Sequence, residues 1–194
     1  KMFVNLKSKV RVEDLMRGII VQSGNDACIV VAEGISGSEE VFSEELNELA
    51  SEIGLENSNF TNSTGWPDKK HLTTVNDLLK LTIRTIEDFP NLYSYYSEKE
   101  FTYNNIKQLN RNPLLFKTIG SDGLKTGHTS LGGYGLVATV KNKDRRLILV
   151  LNGLKSSAQR SKESERLMKI GFKQYTNIKV AEKEKELGVI PIWS

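Results

Sequence analysis

Near Phe101 the hydrophobic pattern of this chain changes period, and that change restricts the fold more than any other feature. Before it, apolar residues recur at helical spacing; after it they fall in short runs bounded by turn residues. From Val12 to Gln22, Leu15, Ile19 and Ile20 share one face, with Glu13 and Asp14 in the first turn where the helix dipole favours acids. Asp26 to Glu33 resumes as a second apolar helix. Ser36-Gly37-Ser38-Glu39 has the form of a capping box and opens a third, through Phe42, Leu46, Leu49 and Ile53 to a stop at Gly54. Asn57 to Asp68 reads as a loop, with Thr64-Gly65-Trp66-Pro67-Asp68 its sharpest turn signal. Thr74-Val75-Asn76-Asp77 caps a fourth helix, which Phe89-Pro90 ends.

Beyond the change, Phe101-Thr102-Tyr103, a turn at Asn104-Asn105 and Ile106 onward form a short hairpin. Gly123 to Thr129 leads into Tyr134 to Val140 and Arg145 to Leu151, an antiparallel hairpin joined by Asn142-Lys143-Asp144. An amphipathic helix from about Ser157 to Tyr175, with Leu167, Ile170 and Phe172, closes the globular part. Val189-Ile190-Pro191-Ile192-Trp193 reads as the start of a further β element. The order predicts an α/β fold of the α+β kind: an antiparallel sheet flanked by helices plus a helical lobe. Lys125 then lies on an edge strand opposite Ser23, across one cleft.

With 194 residues, 38% of them hydrophobic, the chain can bury a sizeable core. Its net charge of +3 comes from interspersed charges of both signs, so no basic stripe argues for nucleic acid. No apolar run reaches the ~18 to 20 residues that span a membrane. The lone Cys28 excludes an internal disulfide and, inside Ala27-Cys28-Ile29-Val30-Val31-Ala32, reads as a packing residue. His71, read as a loop residue, and His128 are too far apart in sequence for a multi-His metal site, and no cofactor is implied. Gly120 to Thr126 has Leu124 where a phosphate-binding loop needs glycine before its lysine.

Two polar triplets, Ser23-Gly24-Asn25 and Lys125-Thr126-Gly127, carry the chemistry. Acyl transfer needs a nucleophilic hydroxyl, a proton acceptor, a donor for the leaving amine, and backbone groups for the oxyanion. Ser23 can shuttle a proton, Asn25 can hold a substrate amide, and Lys125 supplies positive charge. Thr126 and Thr129 offer hydroxyls suited to a carboxylate, and an edge strand lets an extended substrate pair as an added strand. Taken singly, either triplet is an ordinary turn; an interhelical turn and a strand entry together fit one cleft.

Asp14 to Ala27, Tyr96 to Thr102, Gln108-Leu109-Asn110-Arg111-Asn112 and Asp122 to Thr129 resemble the D-alanyl-D-alanine carboxypeptidases, the low-molecular-mass penicillin-binding proteins of bacterial cell-wall metabolism. The resemblance spans roughly Lys1 to Asn177. It implies a β-lactamase/transpeptidase-like fold and removal of the terminal D-alanine of peptidoglycan stem peptides through an acyl-enzyme. It also implies β-lactams as inhibitors, a periplasmic or other extracytoplasmic location, and membrane attachment only through segments outside this chain. Carried over by residue, Ser23, Asn25 and Lys125 are catalytic. Thr126, Gly127, Thr129, the oxyanion-hole amide of His128 and the carboxylate-binding guanidinium of Arg160 serve the substrate, and Arg111 braces a loop beside the cleft. A solvated residue at a helix start is the competing reading of Arg160.

The family's nucleophile lies in a Ser-x-x-Lys turn, and no serine here is followed three residues later by lysine. The expectation is therefore a partial catalytic domain over residues 1–177, lacking the first strands and the nucleophile helix. Residues 178–194 would be a linker and the start of a β-rich domain. Such a chain would be inactive alone and would show an apolar groove beside Ser23. Alternatives are a serine β-lactamase, whose second motif is typically Ser-Asp-Asn, and a non-catalytic peptidoglycan-binding protein.

Overall fold

A computed structural model describes residues 1–181 and Gly188. The expected β element at Val189–Trp193 lies outside the described residues, and residues 175–181 carry no helix or strand. Helix α1 is Val12–Ile20, α2 Asn25–Ser36, α3 Glu39–Glu52, α4 Val75–Asp88 and α5 Ser157–Gln174. The strands are β1 Glu100–Tyr103, β2 Ile106–Leu109, β3 Ser121–Thr129, β4 Gly133–Asn142 and β5 Arg145–Leu154. All pairings are antiparallel, giving a β1–β2 hairpin and a sheet of order β3-β4-β5 with β3 on its edge. The α+β reading with a helical lobe holds.

Helix α1 ends at Ile20, short of Gln22, and β5 runs on to Leu154; the junction of α2 and α3 differs from expectation in kind. Helix α2 continues through Gly34 to Ser36 and stops only at Gly37, whose φ of 81° supplies the left-handed cap and whose N–H reaches Glu33. Ser36 is thus spent inside α2, where its hydroxyl donates to Glu45 at 2.6 Å, and the expected Ser36–Glu39 box does not form. Ser38 caps α3 instead, accepting from Val41 N–H at 3.2 Å. Short 3₁₀ turns at Tyr93–Ser97 and Pro113–Phe116, too brief to show periodicity, complete the path.

Each lobe has its own core. Leu136, Ala138 and Val140 alternate along β4, so one face of the sheet packs on Met168 of α5 and on Leu114, joined by Leu147, Leu149 and Phe172. Burial of a Leu or Met side chain of this kind contributes roughly 2 kcal/mol. The helical lobe closes around Met2, Leu15 and Ala27. Gly18 is required there, because a Cβ on it would collide with Met2 Sδ.

Hydrogen bonds then fix the elements that carry the triplets. Asn112, fully buried, donates to the Gly123 carbonyl at 2.8 Å, two residues before Lys125. Arg146 grips Asp122 through both its terminal nitrogens, at 2.8 and 2.7 Å, while Thr139 bonds both Asp122 and the Tyr93 hydroxyl. On the other wall, the Asp26 carboxylate accepts the N–H groups of Met2, Phe3 and Val4 at 2.8, 2.7 and 3.2 Å.

Partial burial alone would raise the Asp26 pKa, but the amides of Met2, Val4, Phe3 and Ala27 outweigh it and the net shift is downward. A depressed folded-state pKa means that this stabilisation is complete above the ordinary 3.8 and is lost as pH falls through the lower value. Asp26→Asn should therefore cost about 2 kcal/mol at pH 7. In urea melts, its gap from the parent chain should shrink as the solution is acidified below the ordinary carboxylate range; a gap independent of pH would contradict this anchor.

Candidate active site

Ser23 occupies the turn between α1 and α2 with φ of 51°, a left-handed conformation unusual for serine. The turn is pinned by Gly24 N–H on the Gly18 carbonyl at 2.9 Å and, from below, by the Asp26 anchor. This conformation aims the hydroxyl across the lobes at Lys125. The Lys125 ammonium donates to Ser23 Oγ, 102 positions away in sequence, and to the Thr126 carbonyl at 3.0 Å.

Around that contact opens a cleft of about 510 Å³, lined by Ser23, Asn25, Arg111, Lys125, Thr126, Gly127, His128, Thr129 and Arg160. The structure thus brings together every site residue read from the sequence. Gly127 and His128 are exposed on β3. Thr129 Oγ1 accepts the Gly132 N–H at 2.8 Å and so also shapes the β3–β4 turn.

Arg160 is 8% exposed, which removes the solvated-surface reading. It reaches from α5 through the sheet edge, donating to the carbonyls of Gly127 and Gly135 at 3.4 Å each, with its guanidinium 5.5 Å from the Tyr134 ring centroid. Its Nε is buried without a protein partner. Arg111 enters the cleft between two buried asparagines, Asn110 and Asn112, whose side chains bond the Glu98 and Gly123 carbonyls.

No carboxylate lines this cleft among the described residues, while Lys125, Arg111 and Arg160 all do. The electrostatics follow. Burial first, then the positive charge of Arg111, bring Lys125 down to about 8; Cys28 opposes them, and Arg160 adds the weakest lowering. Arg160 is lowered by its burial, Tyr134 opposing and Arg111 adding to the fall. A lysine near 8 exchanges its proton readily at neutral pH, the property a proton carrier needs.

Several lining residues escaped the sequence reading. Cys28 is half-buried and faces the cleft rather than a core, one turn along α2 from Asn25. Its thiol is pushed up, by burial above all and by Asp26 and Glu39, with Lys125 opposing, so it is a poor nucleophile. Tyr134 stands opposite His128 in the β3–β4 register, ring centroids 4.0 Å apart; the pairing was implicit in the hairpin spacing. Thr64, Gly65 and Trp66 come from the 57–74 loop, whose path over the cleft no local pattern encodes. His71 is a half-buried residue of that loop, its Nδ1 accepting the Thr61 N–H at 3.1 Å.

A second, apolar groove of about 510 Å³ adjoins the cleft, sharing Ile19 and Lys125 to Gly127 with it. Ile19 and Ile20 of α1, Leu78 and Leu81 of α4, and Leu124, Val137 and Leu151 of the sheet line it. The expected apolar groove beside Ser23 is therefore present. Among the described residues no helix is long and apolar enough to cross a membrane.

The family model described as D-alanyl-D-alanine carboxypeptidase matches residues 1–156. The chain belongs to that carboxypeptidase family. It is 44% identical over 190 residues to D-alanyl-D-alanine carboxypeptidase DacA of Haemophilus influenzae, covering 97% of this chain and 48% of the relative. To DacD of Escherichia coli it is 39% identical over 193 residues, 99% of this chain and 50% of the relative. Among solved structures, penicillin binding protein 5 from Haemophilus influenzae superposes with a TM-score of 0.86 at 46% identity, over 89% of this chain and 51% of that one. A penicillin-binding protein from Listeria monocytogenes in an ampicillin-bound form gives 0.79 at 29% identity, over 86% and 69%. The chain thus spans about half the length of the curated carboxypeptidases it matches.

If burial and the two neighbouring guanidinium groups set the Lys125 pKa, nuclear magnetic resonance of its side chain should show a midpoint near 8 rather than the ordinary 10.5. Arg111→Ala should move that midpoint upward, and Arg160→Ala should do so by less. A Lys125 midpoint unmoved by either change would show that burial alone is responsible.

Proposed function

We propose that these residues form two walls of the catalytic cleft of a serine-type D-alanyl-D-alanine carboxypeptidase, with residues 1–177 as the transpeptidase-like unit. The observation that carries the reading is the convergence of Lys125, Arg111 and Arg160, without a neighbouring carboxylate, beside an exposed edge strand. That combination suits a peptide bound as an extra strand with its terminal carboxylate among the cations. The family match supports the same substrate, the stem peptide of peptidoglycan, and an extracytoplasmic site of action in cell-wall metabolism. β-Lactams would acylate the same site, as the ampicillin-bound relative suggests.

In this reading Thr126, Thr129 and Arg160 hold the terminal carboxylate and Asn25 holds a substrate amide. The scissile carbonyl lies at His128, whose backbone N–H shares the oxyanion hole. As the C–N bond breaks, a proton passes from Lys125 Nζ through Ser23 Oγ to the departing D-alanine nitrogen. The contact between those two side chains forms the relay. Arg111 keeps Lys125 easily deprotonated. The attacking serine and its lysine are supplied by a Ser-x-x-Lys segment outside these 194 residues.

A fluorescent penicillin tests the assignment. The 194 residues alone should take no covalent label. Joined to the Ser-x-x-Lys segment of a family member, they should label and release D-alanine from peptides ending in D-Ala-D-Ala. Ser23→Ala or Lys125→Ala should slow both reactions about 100-fold. Stoichiometric covalent labelling of the 194 residues alone would overturn the division of labour.

A further inference from the structure

Two segments that line the cleft, the loop residues 64–66 and the end of β3 at Thr129, lead directly into residues that border a separate open concavity of about 740 Å³: Pro67, Asp68, Lys69 and Lys70 on one side and Leu131 on the other. Two large apolar side chains stand exposed at this junction: Trp66 on the loop, 60% exposed, and Leu131 in the β3–β4 turn, 88% exposed.

The loop is built, not slack. Asn62 Oδ1 accepts the N–H groups of Thr64, Gly65 and Trp66 at 3.2, 2.8 and 3.0 Å, and Asn62 Nδ2 donates to the Trp66 carbonyl at 3.0 Å. Ser63 is bolted to Glu39 of α3 through its N–H and hydroxyl at 3.0 and 2.7 Å. With the backbone on either side of it fixed in this way, Trp66 has only its own two side-chain torsions to order when a ligand packs on the ring. Asp68 accepts the Lys70 N–H at 2.7 Å and keeps its negative charge, so the exposed ammonium groups of Lys69 and Lys70 outnumber it and leave the concavity net positive.

The direction of a bound peptide follows from β3. With its carboxylate at Thr126 and Arg160 and its scissile carbonyl at His128, the residues upstream of that carbonyl must run on past Thr129 toward Leu131. We infer that the concavity between loop 64–70 and Leu131 is a second subsite, taking the upstream part of an extended peptide substrate. Leu131 and Trp66 pack on its aliphatic portion, and Lys69 and Lys70 pair with an acidic group. The inference rests on the carboxypeptidase reading of the cleft and deepens it. The structure assigns Trp66, Leu131, Lys69 and Lys70 to substrate selection, not to bond breaking.

The test is binding to the 194-residue chain of three synthetic peptides, followed by nuclear magnetic resonance. One is a short peptide ending in D-Ala-D-Ala. The second extends it upstream through a glutamate, and the third carries glutamine in place of that glutamate. The glutamate peptide should bind about tenfold more tightly than the short one and about threefold more tightly than the glutamine form. Both extended peptides should shift the Leu131 methyls and the short one should not, while all three shift Lys125–Thr129. Leu131→Ala should remove the part of the advantage that both extended peptides share, the double change Lys69→Ala with Lys70→Ala should remove the preference for glutamate over glutamine, and both should leave the short peptide's affinity as it was. Equal affinity of glutamate and glutamine forms, or shifts at Lys125–Thr129 without any at Leu131, would overturn the subsite alone. Absence of shifts at Lys125–Thr129 with every peptide would overturn the cleft reading on which it stands.

Discussion

A lysine ammonium taken partly out of water, with two guanidinium groups near it and no carboxylate beside it, is the constraint around which this molecule is arranged. Such a charge is costly unless its hydrogen bonds are made, and the protein supplies one from each side: Ser23 Oγ from the helical lobe and the Thr126 carbonyl from the strand. Moving either wall would strand the charge. The supports behind both walls are correspondingly stiff. Ser23 is held left-handed by a turn whose floor is the Asp26–Met2 anchor, and β3 is registered by Asn112 on Gly123 and by the Arg146–Asp122 pair. Neither support touches the cleft, yet each fixes one end of the contact that defines it.

The same logic explains the strap from Gln108 to Asn112. Its asparagines are buried and satisfied, Asn110 on the Glu98 carbonyl and Asn112 on that of Gly123, and Arg111 between them is turned the other way into the cleft. Period-two alternation, usually a means of separating core from solvent, here separates backbone anchoring from electrostatics. Two neutral amides hold a cation near a lysine, where Coulomb repulsion alone would push them apart.

What the sequence made legible was whatever is written locally. The period change at Phe101, the Thr74 cap, the turn at Asn104-Asn105 and the paired strands after Gly133 are contained in windows of ten residues or fewer, and the structure keeps them. The joining of Ser23 to Lys125 was legible because the motifs' contexts agreed. Features that depend on packing were not. Whether Arg160 is a surface residue or a buried one is decided by the carbonyls of Gly127 and Gly135 and the ring of Tyr134, each from another element. Cys28 looked like core because its neighbours are apolar, but the length and phase of α2 turn it to the cleft. The Ser36–Glu39 pattern had the right spacing and lost to Gly37, whose left-handed stop lies inside the pattern. Loop 57–74 carries Trp66 to the site through bonds to Asn47 and Glu39 of α3 and an internal bond from Thr61 to His71, contacts that no periodicity encodes.

Cleft and groove meet at Lys125, and they act on it in opposite senses. Apolar atoms packed into the groove, which is walled by Ile19, Ile20, Leu78 and Leu81, would withdraw water from the ammonium and favour its neutral form. A carboxylate entering the cleft beside Arg160 would favour the charged form and relieve the repulsion from Arg111. A residue already near 8 stands where either influence changes its protonation at physiological pH, whereas an ordinary lysine at 10.5 would stay charged under both. The depressed value is thus a consequence of putting a lysine at the junction of a dry surface and a cationic one. It requires the cations of the cleft to remain without an acidic partner of their own, because a single buried aspartate there would pair with Lys125 and hold it protonated.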